Sequence, residues 1–141
     1  MQSLGVTSGK ASATIVLAED EADLRALYAD CLRRSGYIVW EAADGAEALN
    51  LVRAHTPDLL LLDIWMPVLN GLEVLEQIGR SPETVGVRVV VLSHVNDADT
   101  RLEGFALGVH DYWTKDLTLE ELCAGIQQLV ALVRDSPDEP D

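Results

Sequence analysis

The chain has 141 residues, enough for one domain and short for two. Apolar residues make up 48% and aromatics only 5%, so a core can form and must be aliphatic. Ten basic against 24 acidic side chains give a formal charge of −14, which excludes general nucleic-acid binding and disfavours docking on an anionic membrane.

That charge is compatible with cations or basic partners. No apolar run reaches the ~18 residues of a membrane span. The segment 1–12 is small and polar, with one Lys and no apolar stretch, so it reads as a flexible tail and not as a signal peptide. Residues 135–141 are acidic with two prolines, the composition of a flexible tail or linker. The domain is expected over 13–134. Cys31 and Cys123 form no disulfide framework; both fall in helical segments and read as small core hydrophobes. Cytoplasmic residence with reduced thiols is the expectation.

Between the tails the pattern alternates. Ile15-Val16-Leu17 is a short apolar run. Residues 22–34 switch to helical spacing, with Leu24, Leu27, Tyr28, Cys31 and Leu32 on one face. Gly36 ends that helix, and Tyr37 to Trp40 reads as a strand. Asp44 and Glu47 resemble a capping box, opening a helix to about Ala54. Leu59 to Leu62 is the next apolar run, after Pro57. Gly71 precedes a helix carrying Leu72, Leu75 and Ile78; Val87 to Leu92 reads as a buried strand. Residues 97–107 form a weaker helix with Leu102, Phe105 and Ala106 on one face. Val109 to Thr114 is a fifth strand, and Thr118 with Glu121 caps a last helix whose apolar face is Leu122, Ile126, Leu129, Val130 and Val133. Trp40 and Trp113 are expected to pack on neighbouring helices.

Five βα units with strands apolar on both faces predict a parallel sheet covered by helices on both sides. In such sheets the ligand site lies at the carboxyl ends of the strands. Glu19-Asp20-Glu21 follows the first strand, Asp63 the third, Ser93-His94 the fourth and Thr114-Lys115 the fifth. Acids after strands are often only helix caps, a good reading for Glu21 and a poor one for Asp63, which a loop follows. Lysines are usually solvated. Crowded carboxylates repel unless a cation joins them, and Mg²⁺ takes one or two carboxylates while leaving room for phosphate oxygens. A carboxylate can also act as a nucleophile toward phosphorus, with Lys and Ser assisting the phosphoryl oxygens.

These segments resemble the receiver domain of two-component response regulators. The likeness is carried by Ile15 to Glu21, Leu61-Leu62-Asp63-Ile64-Trp65-Met66-Pro67, Asn70-Gly71, Val90 to Ser93 and Asp111 to Lys115. The resemblance implies a flavodoxin-like α/β fold, a (βα)5 three-layer sandwich with a five-stranded parallel sheet in the order 2-1-3-4-5. It implies that Asp63 is the phosphoacceptor. Asp20 and Glu19 would bind Mg²⁺ together with Asp63 and the backbone carbonyl of Trp65. Ser93 would hydrogen-bond the phosphoryl group and Lys115 would pair with it. Tyr112 would change rotamer with Ser93 as a switch. The donor would be a histidine kinase or a histidine-phosphotransfer protein. An output partner would dock on the face of the fourth helix, fifth strand and last helix, and a phosphorylation-linked homodimer is allowed. The domain would turn over no external substrate.

Three departures stand out. Glu19 replaces a more usual Asp. Trp65 and His94 are bulky for positions flanking the pocket, and His94 reads as an exposed loop imidazole. Asp116 stands where many relatives have proline, usually after a cis bond, and the Lys115-Asp116 pair resembles a subfamily often joined to helix-turn-helix domains. The alternative is a pseudo-receiver, a binding module independent of phosphorylation; such chains lose residues that this one keeps. A haloacid-dehalogenase-type phosphatase would need Asp at position 65, and no glycine-rich nucleotide loop follows the first strand.

Overall fold

Leu59, Leu60, Leu61 and Leu62 are all fully buried, although alternate side chains point to opposite faces of the sheet. That is the signature of a strand covered on both sides. In the computed structural model, which describes residues 12–134, this strand is β3 (Leu59–Leu62), at the centre of a parallel sheet. The others are β1 (Thr14–Ala18), β2 (Ile38–Ala42), β4 (Arg88–Ser93) and β5 (Asp111–Thr114). Five helices alternate with them: α1 (Ala22–Arg34), α2 (Gly45–His55), α3 (Gly71–Arg80), α4 (Ala98–Ala106) and α5 (Leu119–Arg134). The order is β2-β1-β3-β4-β5, as the resemblance implied.

Period-two alternation divides the core into two layers. Val16, Ala18, Leu60, Leu62, Val89 and Val91 face a cluster shared with α2 and α3. Ile15, Leu17, Leu59, Leu61, Val90 and Leu92 face the α1 and α5 side, against Tyr28, Leu32, Leu122 and Ile126. Each fully buried leucine contributes about 2 kcal/mol of hydrophobic stabilisation. Trp40 packs on the first cluster and stacks on His55 at the end of α2, with ring centroids 3.9 Å apart. Trp113 packs in the second cluster, against Gly125 of α5.

The caps fall where the side chains provide them. Asp44 accepts from Glu47 N–H, while Glu47 reaches back one residue further than a capping box requires, to Ala43 N–H. Asn70 and Glu73 form a complete capping box on α3. Thr118 and Glu121 do the same for α5.

Several expectations need correction. Leu27 of α1 and Leu102 and Phe105 of α4 are exposed, at 50%, 68% and 44%. Helical spacing places them on a stripe, but the neighbouring layer does not reach that far round either helix. In α4 only Gly104 is buried, against Val109 and Tyr112. Strand β2 starts at Ile38 and not Tyr37, and β4 and β5 each start later than their apolar runs.

The cysteines are the largest correction. Cys31 and Cys123 are half-buried and joined by a disulfide, not separate core thiols. The reason lies in the topology: the strand order sets α1 and α5 side by side on one face of the sheet, and both cysteines turn into the seam between them. The two tails and the side chain of Val133 lie outside the described residues. No described helix is long and apolar enough to cross a membrane.

Candidate functional site

Three backbone hydrogen bonds carry the sheet one residue past its strands. Glu19 N–H donates to Ala42, Asp63 N–H to Ala18, and Lys115 N–H to Ser93, at 3.0, 3.1 and 3.1 Å. The ladder therefore fixes Glu19, Asp63, Ser93 and Lys115 at adjacent positions along the carboxyl rim. Sequence reasoning named all four, and the fold brings them together.

The side chains form a buried ion cluster. Lys115 Nζ lies 2.6 Å from Glu19 Oε1 and 2.8 Å from Asp63 Oδ2. All three side chains are at least nine-tenths buried, at 5%, 3% and 6% exposure. Lys115 is thus not the solvated lysine that its residue type predicts. Burial alone would lower its pKa, but the hydrogen bonds and charges of Asp63 and Glu19 outweigh burial and hold it above its ordinary value. Burial raises the Glu19 pKa; Lys115 and the N–H of Glu21 offset part of that shift, and the Asp63 charge adds to it.

Glu21 occupies the N-cap position of α1, but its side chain caps nothing. Its N–H donates instead to Glu19 Oε2 at 3.1 Å. Asp20 is exposed at the mouth of the cluster. Oxygens of Glu19, Asp20 and Asp63 all lie within 4.8 Å of one another. An all-carboxylate oxygen set of this kind fits a hard divalent cation, so the cluster could hold a metal.

Trp65 N–H donates to Asp63 Oδ1 at 3.3 Å, while its indole stands 66% exposed over the loop after β3. His94 is exposed, as expected. Gly71 lets α3 approach this loop. Its N–H donates to the Ile64 carbonyl at 2.8 Å, and an added Cβ would stand 2.5 Å from the Asp63 carbonyl oxygen.

Ser93 is fully buried, and its Oγ accepts the N–H of Val95 at 3.2 Å. The hydroxyl of Tyr112, also buried, donates to the carbonyl of the same Val95. Ser93 and Tyr112 are therefore linked through one residue. No described peptide bond is cis, including the one before Asp116.

Two positioning residues escaped the sequence reading. Arg25, one turn into α1, donates to the Glu19 carbonyl at 2.8 Å, and its Nε lies 3.5 Å from Glu41 on β2. Arg101 of α4 lies 4.8 Å over the Tyr112 ring and donates to the Tyr112 carbonyl at 3.4 Å. Neither falls at a strand end or in the segments that carry the family likeness.

An acid cluster and a buried lysine on the carboxyl rim of a 2-1-3-4-5 sheet are the arrangement of a receiver-type α/β domain. The family model of the response regulator receiver domain matches residues 15–127. The chain belongs to this family, a signalling domain of two-component systems. It is 38% identical over 128 residues to response regulator MprA of Mycobacterium sp. (strain KMS), an alignment covering 90% of this chain and 54% of MprA. Among solved structures it resembles a response regulator from Chloroflexus aurantiacus, with a TM-score of 0.78 and 26% identity over 86% of this chain and 99% of that one. Chemotaxis protein CheY4 of Vibrio cholerae also matches, with a TM-score of 0.78 and 26% identity over 84% of this chain and 98% of that one. The chain spans about half the length of the curated relatives it matches.

Proposed function

We propose that residues 13–134 act as a cytoplasmic phosphorylation switch in which Asp63 accepts a phosphoryl group. The donor is the phosphohistidine of a histidine kinase or a histidine-phosphotransfer protein. The P–N bond of the donor breaks as a P–O bond forms to the Asp63 carboxylate, and the imidazole leaves with the electron pair and takes up a proton. The observation that carries this reading is the buried Glu19–Lys115–Asp63 cluster, with Asp20 beside it.

Glu19, Asp20, Asp63 and the backbone carbonyl of Trp65 would hold Mg²⁺, which would supply positive charge for the phosphoryl oxygens. Lys115, already bonded to Asp63, follows the charge as it moves onto the phosphoryl group. Ser93 donates its hydroxyl proton to a phosphoryl oxygen. Its Oγ is tied to Val95 and so to Tyr112, so drawing Ser93 toward Asp63 disturbs the Tyr112 hydrogen bond. The change reaches the α4-β5-α5 face, where Leu102 and Phe105 stand exposed for an output partner or a second copy. The assignment includes neither external turnover nor direct nucleic-acid or membrane binding.

The test is intact-protein mass spectrometry after incubation with acetyl phosphate and Mg²⁺. One phosphoryl group should be gained, and it should be absent with EDTA or in Asp63→Asn. No gain from acetyl phosphate or from a phosphorylated histidine-phosphotransfer donor would support a phosphorylation-independent pseudo-receiver instead.

A further inference from the structure

The Cys31–Cys123 disulfide has no part in the switch described above. It joins α1 to α5 across 92 residues of sequence, with Cα atoms 7.0 Å apart. Each end leads to the ion cluster. Helix α1 follows Glu19 and holds that residue's carbonyl through Arg25. Helix α5 starts four residues after Lys115, the partner of Glu19. The same two segments are thus tied twice, by an ion pair at the rim and by a covalent bond further down the seam.

Leu32, Leu122 and Ile126 already pack the two helices in the core without any bond between them. Both cysteines are half-buried and not sealed in the core. In the cytoplasmic setting of the reading above, on which this inference rests for its compartment alone, protein disulfides are usually transient.

We propose that Cys31 and Cys123 are a reversible thiol–disulfide site that locks α1 to α5 and stiffens the frame holding Glu19 and Lys115. The oxidant is a low-molecular-weight disulfide. One cysteine thiolate attacks it, forming a mixed disulfide and expelling one small thiolate. The second cysteine thiolate attacks the protein sulfur of that mixed disulfide and expels the other small thiolate. Two protein thiols are oxidised, one external disulfide is reduced to two thiols, and the two protons pass to the departing thiolates. A low-molecular-weight thiol runs the steps in reverse.

The test equilibrates the full chain in glutathione buffers from fully reduced to fully oxidised. Free thiols are trapped by alkylation and counted by intact mass. The expected result is a two-electron transition of a monomer, complete in both directions. Reduction should lower the melting temperature by roughly 10 °C. It should also raise amide exchange at least several-fold in residues 19–25 and 115–122. Cys31→Ser and Cys123→Ser should each give the reduced-state values in every buffer. If either variant fails to fold, the wild-type redox titration alone decides the matter.

Accumulation of mixed disulfides or of disulfide-linked dimers would overturn the proposal. So would a bond that resists reduction in the folded protein. Equal exchange at both segments in the two states would show that the bond does not reach the ion cluster. None of these readouts uses phosphorylation, so their failure leaves the Asp63 assignment standing, and failure of that assignment leaves them interpretable.

Discussion

Lys115 Nζ is 2.6 Å from Glu19 Oε1, closer than the 2.8 Å that separates it from Asp63 Oδ2. One buried ammonium thus holds carboxylates from the ends of two different strands. Two negative charges and one positive charge leave this cluster one charge short of neutral. Asp20 at the mouth adds a further acid. The cluster is ordered by a lysine and still carries negative charge that could hold a cation.

Lys115→Met should expose that imbalance. Removing one partner of a buried ion pair costs about 3–5 kcal/mol, because the charges left behind have no compensation. The pH dependence has a definite sign. The folded-state pKa of Lys115 lies above its ordinary 10.5, so its stabilisation is fully present below about pH 10.5 and is lost as pH rises through the folded value. The Glu19 pKa is raised too, so the stability of its protonated form is likewise lost as pH rises; without Lys115 its charge is penalised more, and acid relieves that penalty. The stability gap between wild type and variant, from urea titrations in EDTA, should therefore shrink at both extremes of pH. A gap that is constant from acid to strong alkali would contradict this account of the cluster.

Tyr112→Phe removes the hydroxyl that holds the Val95 carbonyl. The loss should be about 1 kcal/mol of stability. Phosphoryl uptake at Asp63 should persist at a rate within a few-fold of wild type, because the Tyr112 hydroxyl bonds to Val95 rather than to Asp63 or Lys115. The effect should appear instead as a weaker phosphorylation-dependent change in amide exchange across α4. An unaltered exchange response in the variant would remove Tyr112 from the switch.

Gly71→Ala places a Cβ against the Asp63 carbonyl at 2.5 Å, and the contacted atom is backbone and cannot swing away. The start of α3 must shift, or the loop after β3 must. Overpacking of this kind costs about 1–3 kcal/mol. Urea unfolding should show that loss, and the rate of phosphoryl uptake should fall with it because the loop carries Asp63. A variant as stable and as fast as wild type would show that the close approach is unimportant.

Much of this architecture was legible in the sequence. Four consecutive leucines mark a strand buried on both faces, and Asp44 and Thr118 mark helix starts, because those signals are local. Asp63 stood out because a loop, and not a helix, follows it. What remained hidden depends on distances between elements. Leu102 and Phe105 sit at helical spacing yet face solvent, because nothing among the described residues packs over that side of α4. The Cys31–Cys123 bond required knowing that α1 and α5 are neighbours, which the expected strand order already implied but helical periodicity alone did not. Arg25 and Arg101 act on backbone carbonyls, and no side-chain pattern announces such contacts.

The most direct test of the central claim is to locate the phosphoryl group. Wild-type protein treated with acetyl phosphate and Mg²⁺ is reduced with borohydride, which converts an acyl phosphate to a stable alcohol, and is then mapped by peptide mass spectrometry. The account predicts modification at Asp63 alone, absent without Mg²⁺. Modification at Asp20 or Glu19, or none at all, would contradict it.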